Sequence, residues 1–223
     1  MAFAPALRRF TFTTHVTSSI GWIGAVVVFL ALAVIGLTSE DEATVRGAYL
    51  VMAPAAWFVL VPLAHASLFS GIILSLGTPW GLIRHYWVAV KLAITVFSTV
   101  ILIIYMGTFR QMAGVAADPV VALDVVRNPS PVVHATLALL LLLAATVLAI
   151  YKPFGMTPYG ARVESQRRDG AQATLGESNR GIAGAEGRTL RPSVWTYAFW
   201  IVGLSILALI IASHSMGSTS HGR

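Results

Sequence analysis

Cysteine is absent from this chain, which rules out disulfides, cysteine-held iron–sulfur clusters and thiolate-held metals. Charge is scarce as well. Asp, Glu, Lys and Arg together make up 11% of the 223 residues, against roughly 25% in a soluble domain. The nine carboxylates fall at positions 40, 41, 42, 118, 124, 164, 169, 177 and 186, none of them inside a long apolar run. A carboxylate proton relay or carboxylate-bridged di-metal site inside those runs is therefore unsupported.

What remains is hydrophobic residue, 57% of the chain, gathered into five runs at 14–37, 49–76, 86–107, 132–151 and 194–213. Each holds roughly 20 residues or more, enough to cross a hydrocarbon core of about 30 Å. Inside lipid the backbone must satisfy its own hydrogen bonds, so the runs are helices. The sequence thus predicts an all-α, polytopic membrane helix bundle in a lipid bilayer. Residues 1–152 form a four-helix core, residues 153–193 a flexible cytoplasmic linker, and residues 194–223 a fifth C-terminal transmembrane helix with a short outside tail. Arg8 and Arg9 before an apolar run resemble a secretory leader, but no small-residue cleavage site precedes Ser39, Glu40, Asp41 and Glu42. The first run reads as a retained span.

The basic residues orient this bundle. With the N-terminus cytoplasmic, Arg8, Arg9, Arg84, Lys152, Arg162, Arg167, Arg168, Arg180, Arg188 and Arg191 lie inside, and only Arg46, Arg110, Arg127 and Arg223 outside. That asymmetry is the positive-inside pattern, which places the N-terminus in the cytoplasm and the C-terminus outside; the expected location is the cell (plasma or inner) membrane. The formal net charge of +6 belongs to those loops, so nucleic acid is not an expected partner. The linker is rich in Gly, Arg and Ala and has no hydrophobic period. The outside loop, 108–131, is more apolar, and a short surface helix is expected over 115–126.

Histidines supply the candidate chemistry. His15, Ser18 or Ser19, and Trp22 fall on one helical stripe, beside Gly21 and Ala25, a small-residue face that lets another helix approach and is also a candidate homodimer contact. His65 lies deep in the second span near Pro62, Ser67 and Gly71, where a titratable side chain is costly. His85 opens the third span after Arg84, with Trp87 and Lys91 following. In the predicted orientation His15, His65, His85 and Lys91 share the cytoplasmic half, while His134 and His214 belong to the outer half. A haem takes two axial ligands at one depth, so a pair drawn from His15, His65 and His85 is expected, with Lys91 or Arg84 facing the anionic propionates. Zinc or copper would accept the same imidazoles. A bundle without cofactor, its histidines merely hydrogen-bonded, is equally compatible with these residues.

The stretch from His15 to Ala25, then Leu76-Gly77-Thr78-Pro79-Trp80-Gly81-Leu82, His85-Tyr86-Trp87 and Lys91, resembles a family of uncharacterised actinobacterial integral membrane proteins. Tyr151-Lys152-Pro153 and Thr157-Pro158-Tyr159-Gly160 fit the same family, and the likeness covers 14–162. More distantly, His15 with Trp22 and Gly24, and Trp87 with Lys91, are similar to four-helix haem proteins of the HemJ-type protoporphyrinogen oxidase and copper-resistance D-like group. That resemblance implies haem b, held by His15 with either His85 or His65, in electron transfer with a redox partner or in haem handling. A HemJ-type oxidase carries a further histidine two after the tryptophan; here that position is Ala89, which counts against the oxidase activity. The alternative from another class is a cofactor-free accessory subunit or small-solute conduit.

Overall fold

A computed structural model describes residues 4–78, 81–153 and 155–176. The predicted fifth span, with His214 and His221, lies outside these, as do Pro79 and Trp80. Within the described residues the chain is helical. The long elements are α1 (Pro5–Thr38), α2 (Glu42–Leu76), α3 (Tyr86–Ala117) and α4 (Ser130–Tyr151), followed by α5 (Pro158–Gly176). The first four are long and apolar enough to cross a membrane, and their outer surfaces agree: Phe58 is 76% exposed and Ile104 69%. Large apolar side chains turned outward in such numbers suit a lipid surround, as expected of a multi-pass membrane protein.

The helices run up and down with α1 beside α2, α2 beside α3, α3 beside α4, and α4 back against α1. Short connections between antiparallel neighbours give this order. One end of the bundle carries Arg8, Arg9, Arg84 and Lys152 and is called here the basic end. Each helix faces the axis with one stripe. On α1 the stripe is Thr11, His15, Ser18, Trp22, Val26, Phe29, Ala33 and Gly36, a repeat of three and four that follows from 3.6 residues per turn. It is polar near the basic end and apolar beyond Trp22. The apolar part packs with Tyr49, Met52, Leu60, Tyr105, Met106 and Phe109 in the main core. Phe29 and Phe109 meet edge to face across the axis, centroids 5.5 Å apart.

α2 contains two prolines, and its backbone widens into a π-turn at Ala56–Leu60, between Pro54 and Pro62. Proline lacks the N–H that would close the regular ladder, and such a bulge re-phases the helix around the lost bonds. Beyond it, Leu60, Ala64, Ser67 and Ser70 are turned inward.

Two expectations change. Residues 158–176, expected to be part of a flexible linker, form α5, and residues 177–193 of that linker lie outside the described residues. Thr157 Oγ1 accepts the Gly160 N–H at 3.1 Å, Pro158 occupies the first helical position, and Glu164 pairs with Arg168 one turn on. A helix specified at its start, with no apolar stripe, leaves no periodic signal. The outer loop also differs: α3 runs on to Ala117 because Phe109, Met112 and Ala116 extend its buried stripe, leaving only a single turn, Leu123–Val126, where a surface helix was expected.

Candidate functional site

The polar stripe of α1 meets α2 and α3 near the basic end. His15 is 8% exposed, and its Nδ1 lies 3.0 Å from the Ser67 carbonyl oxygen and 3.2 Å from Ser70 Oγ. A carbonyl only accepts, so Nδ1 carries the proton and Nε2 carries the lone pair. Lys91 Nζ, arriving from α3, stands 3.1 Å from that Nε2 and donates to it. Because α1 and α3 are diagonal in the bundle, this bond crosses the axis. Ser19 Oγ and Ser67 Oγ, 2.7 Å apart, extend the cluster, while Ser18 bonds back to the Thr14 carbonyl.

The ring is seated tightly. A Cβ built on Gly71 would lie 2.9 Å from His15 Cε1 and 3.3 Å from Nδ1. Glycine at 71 is what lets α2 close onto the imidazole. Gly21 plays a similar part opposite Leu63, its added Cβ meeting that side chain at 3.2 Å. At Gly21 the small-residue face of α1 is thus met by α2 of the same chain. Gly24 faces open space.

Lys91 sits five residues into α3, about 8 Å from its start at 1.5 Å per residue. Among the described residues its ammonium makes only the bond to His15 and no ion pair with a carboxylate. The centre is therefore a cation, an imidazole and four serines, with positive charge and no built-in negative partner.

The remaining candidates lie elsewhere. His65 is half-buried and bonds the Val61 carbonyl of its own helix at 2.8 Å, with its ring 6.0 Å from Phe69, a residue 56% exposed. It lies two positions before Ser67, and the 200° of rotation between them puts it on the opposite face of α2. The carbonyl it bonds is not the one freed by Pro62. His85 precedes α3 and pairs through its backbone with Met156, its ring 6.5 Å from Trp87. The Arg84 carbonyl accepts the Thr157 N–H at 2.9 Å, and Thr157 Oγ1 donates to the Ile83 carbonyl at 2.6 Å. The two sequence signatures around 81–87 and 157–160 are thus two sides of one junction. Gly160 is essential to it, since a Cβ there would fall 2.2 Å from the Arg84 carbonyl oxygen. Trp22, 3% exposed, lines an apolar cavity beyond the polar centre.

As folded, these residues do not fit a bis-histidine haem or a histidine-held metal. Both nitrogens of His15 are engaged, His65 faces away, and no group of three His, Asp or Glu among the described residues is placed to hold a metal ion. Ser70 and Ser98 were not singled out in the sequence, although Ser67, Ser70 and Gly71 at helical spacing are a small polar stripe that pointed to a packed polar contact. No family model, curated protein or solved structure matches this chain.

Proposed function

We propose that this protein is a multi-pass protein of the cell membrane that binds an anionic ligand in the basic half of its core, with the Lys91 ammonium as counter-charge and His15 as its anchor. The observation that carries the reading is the Lys91–His15 bond across the bundle axis. Desolvating an ammonium costs several kcal/mol, and a neutral imidazole returns one hydrogen bond without neutralising the charge. The site becomes electrostatically complete when an anion reaches Nζ. Its position near the basic end, where Arg84 also lies, suits a ligand drawn from that side. By the positive-inside pattern that side is the cytoplasm, and residues 194–213 supply a fifth span.

Haem b, for electron transfer or haem handling, is the second reading. One observation favours it: the cation beside His15 is the kind of group a propionate pairs with. It requires Lys91 to leave Nε2, since a metal needs that lone pair. Protoporphyrinogen oxidation draws no support beyond this, given Ala89.

The test is an absorption spectrum with a pyridine haemochrome assay, followed by native mass spectrometry of the detergent-purified protein and its Lys91→Gln variant. An anionic adduct held by the parent and lost from Lys91→Gln is the expected result, and a b-type haemochrome would identify the adduct as haem. Identical spectra and adducts in both proteins would overturn the reading.

A further inference from the structure

A second polar feature lies beyond Trp22, toward the end of the bundle opposite the basic end. All four long helices contribute to a partly open cavity of about 70 Å³ whose walls are mostly apolar, among them Phe29, Leu60, Leu102 and Ala138. Three polar side chains also line it: Ser98 and Tyr105 of α3 and His134 of α4.

Ser98 is 7% exposed, and its Oγ has no hydrogen-bond partner. Its neighbours behave otherwise. Thr95 and Thr99 on the same helix, Ser70 and Ser75 on α2, and Thr146 on α4 each donate to the carbonyl four residues back. That bond is the usual way a hydroxyl is satisfied inside an apolar helix bundle. An unpaired hydroxyl buried this deeply costs about 1–3 kcal/mol.

His134 adds the complementary group. Its Nδ1 lies 2.9 Å from the Ser130 carbonyl oxygen, which makes Nδ1 the protonated nitrogen and Nε2 the acceptor. Nε2 makes no hydrogen bond among the described residues. The ring is held by stacking on Tyr105, centroids 4.2 Å apart, and the Tyr105 hydroxyl is itself committed to Ser130 Oγ at 2.6 Å. Among the residues that line this mostly apolar space, Ser98 thus has an unused donor and His134 an unused acceptor.

We infer that this cavity is a binding site for a small neutral alcohol, its hydroxyl donating to His134 Nε2 and accepting from Ser98, its carbons against the apolar wall. Size limits the ligand: a cavity of about 150 Å³ accommodates benzene, so about half that volume suits an alcohol of about two to four carbons. The inference does not depend on the Lys91 centre, which shares none of these side chains.

The experiment is ¹⁹F saturation-transfer NMR on the detergent-purified full chain with 3-fluoropropan-1-ol as probe, and 1-fluoropropane as the comparison lacking the hydroxyl. Transfer that 1-propanol displaces is expected for the alcohol. Ser98→Ala, which removes an unpaired polar atom and leaves the helix intact, should weaken it about three- to tenfold, the equivalent of one hydrogen bond. Ala138→Leu, filling the cavity, should abolish it while circular dichroism stays unchanged. Should Ala138→Leu not fold, Ser98→Ala and the fluoropropane comparison decide alone. No displaceable transfer in the folded parent, or equal transfer from both probes with Ser98→Ala unaffected, would overturn the inference and leave a dry packing void.

Discussion

Replacing Gly71 with alanine puts a methyl group where the structure leaves room only for the edge of the His15 ring. The new carbon would stand 2.9 Å from Cε1 and 3.3 Å from Nδ1, whereas carbon atoms in comfortable contact are about 3.5–4.0 Å apart. The ring must retreat by roughly 0.6–1 Å to restore that contact. Retreat lengthens the bond to Ser67, now 3.0 Å, toward the limit of a hydrogen bond and disturbs the one from Lys91, now 3.1 Å. Losing both would cost about 2–4 kcal/mol, counting about 1 for the neutral bond and somewhat more for the charged one. Alanine's better helix propensity returns up to about 1 kcal/mol. The net expectation is about 1–3 kcal/mol of destabilisation, in the range of overpacked cores. Gly24→Ala is the matched comparison, because nothing lies within 4 Å of its added Cβ. It should be neutral or slightly stabilising. Denaturant unfolding of the two variants and the parent in one detergent, followed by circular dichroism, measures the difference. Equal stability of Gly71→Ala and Gly24→Ala would refute the tight seating of His15.

Three further outcomes follow from the same geometry. Lys91→Met removes a desolvated cation that has one neutral hydrogen-bond partner, so the ligand-free protein should be at least as stable as the parent in thermal unfolding while anion binding is lost; a large fall in melting temperature would show that the Lys91–His15 bond outweighs its desolvation. Gly160→Ala drives a Cβ against the Arg84 carbonyl oxygen at 2.2 Å and should detach the start of α5 from the 83–86 segment, seen as faster proteolysis around 153–165 with the four-helix core intact. Asp41 caps α2, accepting from the Thr44 hydroxyl at 2.5 Å and from the Thr44 N–H at 2.9 Å, and these bonds hold its carboxyl below the ordinary value of 3.8. A depressed folded-state value means the cap contributes fully above about 4 and is lost as pH falls through the lowered value; Asp41→Asn should flatten that acid limb of the thermal stability, and an unchanged limb would contradict the capping role.

The Lys91 centre and the Ser98 cavity illustrate two ways a membrane bundle tolerates polarity. At the first, serines, an imidazole and an ammonium bond one another across three helices, and the positive charge has no anionic partner among the described residues. At the second, the Ser98 hydroxyl and His134 Nε2 are left without a hydrogen-bond partner among the described residues. Both stand on inward stripes, where lipid cannot reach and where a polar group therefore needs a partner from the protein or from a ligand.

Much of the architecture was legible in residue order alone. Four helices of membrane-crossing length follow from runs of apolar residues, because backbone in lipid has to bond itself. The α1 stripe of His15, Ser18 and Trp22 follows from helical periodicity. α5 escaped notice because Thr157 and Pro158 specify only its beginning and its polar body carries no period. The pairing of side chains was a different matter. His15, His65 and His85 look interchangeable along the chain, each a histidine in or beside a span. Only the packed structure separates them, turning His65 outward by 200° from Ser67 and putting Lys91 against His15 from the diagonal helix. Helix content is set by local chemistry, repeated at every residue. Which polar groups meet is set by the rotation of each helix about its own axis, and that depends on steric details such as the bare Cα of Gly71, which acquire meaning only once the neighbouring helix is in place.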